Sequence, residues 1–319
     1  MDRKKLWTDF TANGLIPLPN QATQDNIFGT RVGKKRAYEV YKVVHATLTS
    51  NVDREIDYDN WSQIVSNQPT NLRATLSKKD NVKACADCVP VLCYFFLNIH
   101  LSGVSQVDGV VAAELNNTVT FADISEAKRI LQDIYLNAWT RPLSNSEDQG
   151  SNSIVGGISE RLLELSMGTL ADGVDLFKTN QNDTKSYGDF ILMCLPNNLW
   201  ISVKTKFSRE RLLSSGFSND LVGVGFFTDI KEFTSLHKIR NYKKAGFLAI
   251  YLPDTPVDPE QFSQQINTYD EVNRYFIDNN IPMPVNINGT PFLRKISELG
   301  SDFERLKLQP IQKRSAIGF

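Results

Sequence analysis

The chain has 319 residues, of which 41% are hydrophobic and 22% charged, a composition typical of a globular protein. Its 35 Lys and Arg nearly balance 36 Asp and Glu, and the formal net charge of -1 excludes a polycation that binds nucleic acid through its overall field. Any affinity for a polyanion must therefore come from a local cluster of charge.

The first half of the chain has apolar residues mainly at helical spacing, after a polar and basic arm over residues 1–36. Helices are predicted over Ala37–Thr47, Val89–Leu101 and Ile124–Trp139. The following stretch, Arg141–Gly157, is rich in Pro, Ser, Asn and Gly, which favours a surface loop or a domain boundary. We therefore expect two parts, a mainly helical N-terminal region over residues 1–150 and a second domain over residues 151–319.

The second half mixes helical and alternating patterns, which predicts an α/β (α+β) domain with a central mixed sheet and flanking helices. The predicted helices are Ile158–Met167, Arg209–Ser214, Lys231–Lys244, Pro259–Asp278 and Leu293–Leu308. The predicted strands are Tyr187–Leu195, Leu199–Lys206, Leu221–Phe227 and Gly246–Leu252. The first two strands flank Pro196-Asn197-Asn198, which is typical of a hairpin.

Targeting and metal motifs are weak. The first residues lack the apolar stretch of a secretory signal, and Val89–Leu101 is too short to span a bilayer, so we expect a cytoplasmic protein. Cys85 and Cys88 have the spacing of half a zinc site, but no second pair accompanies them, which favours buried core thiols. The segment Val222–Gly225 lacks the third glycine of a dinucleotide fingerprint.

Charge is unevenly distributed along the second half. Residues 200–245 carry nine Lys and Arg against four Asp and Glu, whereas residues 254–282 carry one Arg against six acids. Such runs are commonly solvated faces, but a basic helix can also contact DNA phosphates without reading sequence. The residues that could contact the DNA phosphates are Lys206, Lys238, Arg240, Lys243 and Lys244.

The hairpin brings an acid and an amine together. If Asn197 and Asn198 form a two-residue turn, Asp189 lies opposite Lys206 and Ile191 opposite Lys204, although Pro196 leaves another register open. Since side chains alternate with period two, Asp189, Ser202 and Lys204 then share one face of the sheet.

This pairing suits phosphodiester hydrolysis. A carboxylate can hold a hard divalent cation such as Mg²⁺, and an ammonium can position water and offset charge on the phosphorane. The alternative is an ordinary cross-strand ion pair on an amphipathic hairpin.

The segment that continues from the hairpin, Ser202-Val-Lys204-Thr-Lys-Phe-Ser-Arg209-Glu210-Arg211, resembles the PD-(D/E)XK superfamily of type II restriction endonucleases. In that family an Asp precedes a strand bearing acid-x-Lys. Here Gly188-Asp189 stands where Pro-Asp is common and Ser202 where the acid is usual. With serine at that position, the segment resembles the branch of the family that recognises CCGG or CCNGG sites.

The resemblance implies further roles. Arg209, Glu210 and Arg211 would read G·C pairs, since Arg pairs with guanine and Glu accepts from cytosine N4. The relocated acid of the metal site would be Asp220 or, on an upstream helix, Glu160; Asp220 also suits a turn, and Glu160 a helix surface. The implied partners are double-stranded DNA, a second copy of the chain, and a cognate methyltransferase of the same system that forms no stable complex.

We therefore expect a Mg²⁺-dependent type II restriction endonuclease that acts as a homodimer on a palindromic site containing CC and GG. Two alternatives remain open. One is a sequence-specific DNA-binding protein without catalysis, and the other is a repair nuclease of the same fold.

Overall fold

The structure is a computed structural model that describes residues 59–67, 70–96, 121–167, 173–179, 188–194, 197–205, 220–257, 261, 264–308 and 318. The chain divides into two compact units, Met1–Asn98 with Asp108–Leu162 and Ile99–Val107 with Leu163–Phe319. The boundary between residues 162 and 163 lies inside a helix. Two predicted helices, Ala37–Thr47 and Arg209–Ser214, lie outside the described residues.

The first unit is helical throughout its described part. Its helices are α1 (Trp61–Ser66), α2 (Thr70–Leu76), α3 (Lys79–Phe96), α4 (Phe121–Asn137) and most of α5 (Asn145–Met167). Helices α3 and α4 pack together, and the apolar residues that recur along them, including Val82, Leu131 and Ile134, are buried. The predicted helices Val89–Leu101 and Ile124–Trp139 are confirmed in their described parts.

The loop predicted over Arg141–Gly157 is wrong, because α5 begins at Asn145. Ser144 and Glu147 form a capping box: Ser144 N donates to Glu147 Oε2 over 2.9 Å, and Glu147 N donates to Ser144 Oγ over 3.4 Å. Hydrogen bonds from Arg141, followed by those from Ser144, lower the pKa of Glu147. The Ser-x-x-Glu capping box at the start of the segment therefore favours a helix more than its glycines disfavour one.

The second unit contains a six-stranded sheet with the order β1–β2–β3–β4–β5–β6. The strands are β1 (Leu176–Lys178), β2 (Phe190–Leu192), β3 (Leu199–Lys204), β4 (Leu221–Gly225), β5 (Phe247–Leu252) and β6 (Leu293–Lys295). Strands β1 to β3 are antiparallel and β3 to β6 are parallel. This confirms the mixed α/β class with a central mixed sheet.

The helices of the second unit are α6 (Lys231–Thr234), α7 (Leu236–Lys244), α8 (Thr268–Asp278) and α9 (Leu299–Leu308). Three predicted helices need correction. Ser235 interrupts Lys231–Lys244 and caps α7 by accepting from Lys238 N. The predicted helix Pro259–Asp278 is interrupted at residues 265–267, and α8 begins at Thr268, after the Asn267 cap. The predicted helix Leu293–Leu308 instead opens with β6 and a short 3-10 turn.

Helices α7 and α8 cover one face of the sheet. Their residues Ile239, Tyr242, Val272 and Phe276 join Leu221 and Ile250 of the strands in a buried cluster, against which Trp200 packs. Burying each such side chain contributes about 1.5–3 kcal/mol. On the opposite face, Tyr251 packs edge-on against Phe303 of α9.

The carboxyl ends of β3, β4, β5 and β6 meet at one edge of the sheet, because these strands are parallel. Strand β2 runs in the opposite direction, so its amino end, preceded by Asp189, reaches the same edge. Ligands of open α/β sheets bind outside the carboxyl ends of the strands. The fold thus places Asp189 and Lys204 at the edge where a site is expected.

Candidate active site

The β2–β3 hairpin has a different register from the one predicted. Phe190 pairs with Ile201 and Ile191 with Trp200, and Asp189 N donates to Ile201 O over 2.7 Å. The paired residues begin at Phe190, and the bond from Asp189 N to Ile201 O departs from the regular ladder, so Asp189 lies beside Ile201 at the end of the paired segment. The turn is wider than two residues, since β2 ends at Leu192 and β3 begins at Leu199.

The paired residues are shifted by four positions from the predicted register, but Asp189 and Lys204 still approach each other. The Oδ2 atom of Asp189 lies 3.6 Å from Nζ of Lys204. The same Oδ2 accepts a hydrogen bond from Val203 N over 2.6 Å, and Lys204 Nζ donates to Val203 O over 3.0 Å. The side chains are 10% and 19% exposed, so both are largely buried but still reach solvent.

Asp189 also completes the sheet. Directly before β2 begins, its carboxylate takes the place of a backbone carbonyl as the partner of Val203 N–H. Thr179, which sequence reasoning did not single out, orients this position by donating its N–H to Asp189 O and its Oγ1 to Gly188 O. Sequence pattern carries no signal for such a contact.

The dual role of Asp189 leads to a stability prediction. We expect Asp189→Ala to lower the free energy of unfolding by about 1.5–3 kcal/mol, because the buried Val203 N–H loses a charged acceptor. Asp189→Asn should cost clearly less, since its amide oxygen can still accept that bond. Urea denaturation of the three proteins measures the difference. Equal losses for Ala and Asn would contradict the structural role of the hydrogen bond.

Ser202 lies on β3, two residues before Lys204. It is 1% exposed, and its Oγ has no hydrogen-bond partner within the described part of the chain. Its neighbour on β4 is Gly223, and a Cβ built there would contact the Phe247 ring at 3.3 Å. On the β4 side, Ser202 therefore adjoins a glycine backed by apolar side chains.

Gly225 is the β4 partner of Lys204. Any Cβ at Gly225 would collide with the ring of Phe227, which is fully buried. The Phe227 carbonyl accepts from Thr268 Oγ1 over 2.6 Å, which ties the end of β4 to α8. The glycines of Val222–Gly225 thus serve close packing beside the pair.

The structure does not bring Asp220 to the pair, which corrects our expectation for the second acid. Asp220 precedes β4 with a φ of 73°, and its carbonyl accepts from Trp200 N. Because β3 and β4 are parallel, this is the amino end of β3, about 13 Å along the strand from Lys204. Glu160, the other candidate, is a buried residue of α5 in the first unit.

Within the described residues no group of three or more His, Cys, Asp or Glu side chains could hold a metal ion. Mg²⁺ does not require such a group, because it is commonly bound by one or two carboxylates together with waters and substrate phosphates. The carboxylate of Asp189 fits that mode of binding. Cys85 and Cys88 are buried in α3, as expected, and burial raises the pKa of both thiols.

Helix α7 presents the predicted basic residues to solvent. Lys238, Arg240, Lys243 and Lys244 are exposed, whereas Ile239 and Tyr242 anchor the helix to the core. The helix contains no acidic residue. The remaining candidates, Lys206, Arg209, Glu210 and Arg211, lie outside the described residues.

No family model, curated protein or solved structure matches this chain. None of the described helices has both the length and the apolar character needed to cross a bilayer.

Proposed function

We propose that the protein is a Mg²⁺-dependent endonuclease that cleaves double-stranded DNA at the Asp189–Lys204 pair. The observation that carries the proposal is the 3.6 Å approach of this carboxylate to this ammonium at the carboxyl edge of the sheet. Mg²⁺ bound there would supply Lewis-acid polarisation of the scissile phosphate.

Each residue of the pair has a role in this proposal. Asp189 is held by Val203 N–H and Thr179, so its carboxylate is fixed before a cation arrives. Lys204 places a positive charge beside that carboxylate, where it can orient water and offset the charge that develops on the phosphate. The low exposure of both side chains strengthens these interactions, because less water screens them.

The finer assignment rests on the sequence resemblance alone. We propose a type II restriction endonuclease, cytoplasmic and homodimeric, whose two subunits meet the half-sites of a palindrome. In this proposal Arg209, Glu210 and Arg211 read a site containing CC and GG. A cognate methyltransferase would protect the host DNA without forming a stable complex.

Digestion of unmethylated phage DNA tests the proposal. The purified protein with Mg²⁺ should give discrete fragments, and EDTA should leave the DNA intact. Random degradation or cleavage only of branched DNA would favour a repair nuclease instead. Intact DNA with a retained gel shift would favour a binding protein without catalysis.

One observation favours the binding protein as a second candidate. Asp189 and Lys204 both hydrogen-bond to the backbone of Val203, so the pair can serve only to stabilise the hairpin. The exposed cations of α7 would then dock a duplex without any chemistry. The two candidates differ in a single outcome, hydrolysis on addition of Mg²⁺.

The basic helix gives a prediction common to both candidates. Arg240 and Lys244 lie one turn apart on α7, on the side away from the buried Ile239 and Tyr242. We expect Arg240→Gln and Lys244→Gln each to reduce the slope of log K against log salt for DNA binding by about 1. Fluorescence anisotropy in EDTA measures these slopes without cleavage.

A matched control for this prediction is Arg274→Gln. Arg274 is an exposed arginine of the neighbouring helix α8, which also carries Asp270, Glu271 and Asp278. The substitution makes the same change in net charge, and we expect the salt slope to stay that of the unmodified protein. An equal decrease in all three variants would show a general charge effect rather than a docking surface on α7.

A further inference from the structure

The last residues of β3 are held in place by β4. Strand β2 pairs with β3 as far as Ile201. From Ser202 to Lys204, the strand partner within the described part of the chain is β4, which pairs Lys204 with Gly225. One further main-chain bond follows, from Phe226 N to Lys204 O over 3.3 Å. The position of Lys204 therefore depends on the end of β4.

The end of β4 is fixed by the side chain of Phe227. This ring is fully buried and packs against Phe233, with ring centroids 4.9 Å apart. It also fills the space beside Gly225, where an added Cβ would meet both the ring and, at 2.7 Å, Lys204 O. Because closely packed groups transmit displacements, a shift of Phe227 also moves the end of β3.

A chain of buried hydrogen bonds holds Phe227 in turn. Thr268, the first residue of α8, donates its Oγ1 to Phe227 O over 2.6 Å. The same Oγ1 accepts from Gln261 Nε2 over 2.9 Å, and Gln261 Oε1 accepts from Val257 N over 3.1 Å. Because all four residues are at most 4% exposed, water does not replace a partner that is lost. Thr268 therefore ties the segments that follow β4 and β5 to the start of α8.

We propose that Thr268 is a positioning residue for Lys204. Its hydroxyl fixes Phe227 and thereby the end of β4, which sets the 3.6 Å approach of Lys204 Nζ to Asp189 Oδ2. This inference rests on the proposed function and extends it to a buried residue outside the hairpin. A displacement of a reacting group by about 1 Å can slow a reaction about 100-fold, so a small shift at this edge matters for cleavage.

Thr268→Val tests the proposal, because valine has nearly the same shape but cannot donate to Phe227 O. The single-turnover rate constant of Mg²⁺-dependent cleavage should fall about 10–100-fold, with DNA affinity in EDTA unchanged. Thr268→Ser keeps the hydroxyl and should restore most of the rate. In a Lys204→Ala background, Thr268→Val should slow cleavage no further, because residues that act through one group are not additive.

Hydrogen exchange gives a second readout that needs no activity. The Phe226 amide, which donates to Lys204 O, should exchange about 3- to 10-fold faster in Thr268→Val, the effect of one weakened hydrogen bond. The internal reference is the amide of Leu221 at the other end of β4, which donates to Gly246 O. Comparison with this amide separates a local change from a loss of overall stability.

Thr234→Val is the matched control. Thr234 Oγ1 donates to Ile230 O over 3.1 Å at the end of α6, so the substitution removes the same kind of bond from the same unit. This variant should keep the cleavage rate and the Phe226 exchange rate of the unmodified protein. Equal effects in both threonine variants would overturn the specific role of Thr268.

An unchanged exchange rate at Phe226 in Thr268→Val, or an unchanged cleavage rate, would also overturn the proposal. A loss of cleavage in the Lys204→Ala background as large as in the unmodified background would do the same, because Thr268 would then not act through Lys204. These results leave the endonuclease in place if the unmodified protein cleaves DNA. Absence of cleavage by the unmodified protein with Mg²⁺ removes the proposed function, and the positioning role with it.

Discussion

Lys204→Ala is expected to slow Mg²⁺-dependent DNA cleavage by about 10²–10³-fold, the range for loss of one group that stabilises charge in the transition state. The reason is its position. Nζ lies 3.6 Å from Asp189 Oδ2, so the substitution removes the positive charge beside the carboxylate that would hold the ion. DNA binding should change little, because the ammonium is largely buried and bonded to Val203 O. Single-turnover cleavage and anisotropy in EDTA measure the two quantities separately.

Lys178→Ala is the control for this prediction. Lys178 lies on β1 of the same sheet, is exposed, and has its Nζ 5.9 Å from the ring centroid of Phe190. Its removal changes the net charge equally and should leave the cleavage rate near that of the unmodified protein. If Lys204→Ala cleaved at full rate, the assignment of the active site to this hairpin would have to be abandoned.

Asp302→Ala should strongly destabilise the second unit. Oδ2 of Asp302 accepts from Tyr251 over 2.6 Å and from Arg294 Nη1 over 3.2 Å, and its Oδ1 accepts from Arg305. Tyr251 is fully buried and the Arg294 side chain is 9% exposed. Removing the carboxylate breaks a buried ion pair with Arg294, and breaking such a pair costs about 3–5 kcal/mol. Burial raises the pKa of Tyr251, so its hydroxyl remains a donor at neutral pH.

Asp278→Ala is the matched control for the effect on stability. Asp278 is exposed at the end of α8, and its loss should change the free energy of unfolding by no more than about 0.5 kcal/mol. Urea denaturation of both variants measures the difference. A loss below about 1 kcal/mol for Asp302→Ala would mean that the cluster of Tyr251, Arg294 and Asp302 is satisfied by other groups.

The alternation of side chains along the strands predicted those parts of the site that do not depend on which residues pair across the hairpin. The alternation along residues 187–206 predicted one face for Asp189, Ser202 and Lys204, and the ion pair confirms that Asp189 and Lys204 meet. The pairing itself was wrong because the turn was assumed to have two residues. Pro196 lacks a backbone donor, and the connection between Leu192 and Leu199 is wider.

Other features depend on tertiary structure that local pattern does not contain. The position of Asp220 follows from β4 running parallel to β3, and strand direction is set by a crossover. Strand β6 has only three residues, which is too short to show an alternating pattern, so its sequence is also compatible with the predicted helix. Its pairing with β5 is what makes it a strand. The unpartnered hydroxyl of Ser202 becomes visible only when both neighbouring strands are in place.

The most direct test of the central claim is a double-mutant cycle of DNA cleavage with Asp189→Asn, Lys204→Ala and the double variant. Rate constants are measured on one duplex with Mg²⁺ under single-turnover conditions. If the two residues act together in one step, the double variant should be no slower than the slower single variant. A loss in the double variant equal to the product of the two single losses would contradict a shared role, and full activity in either single variant would remove that residue from the site.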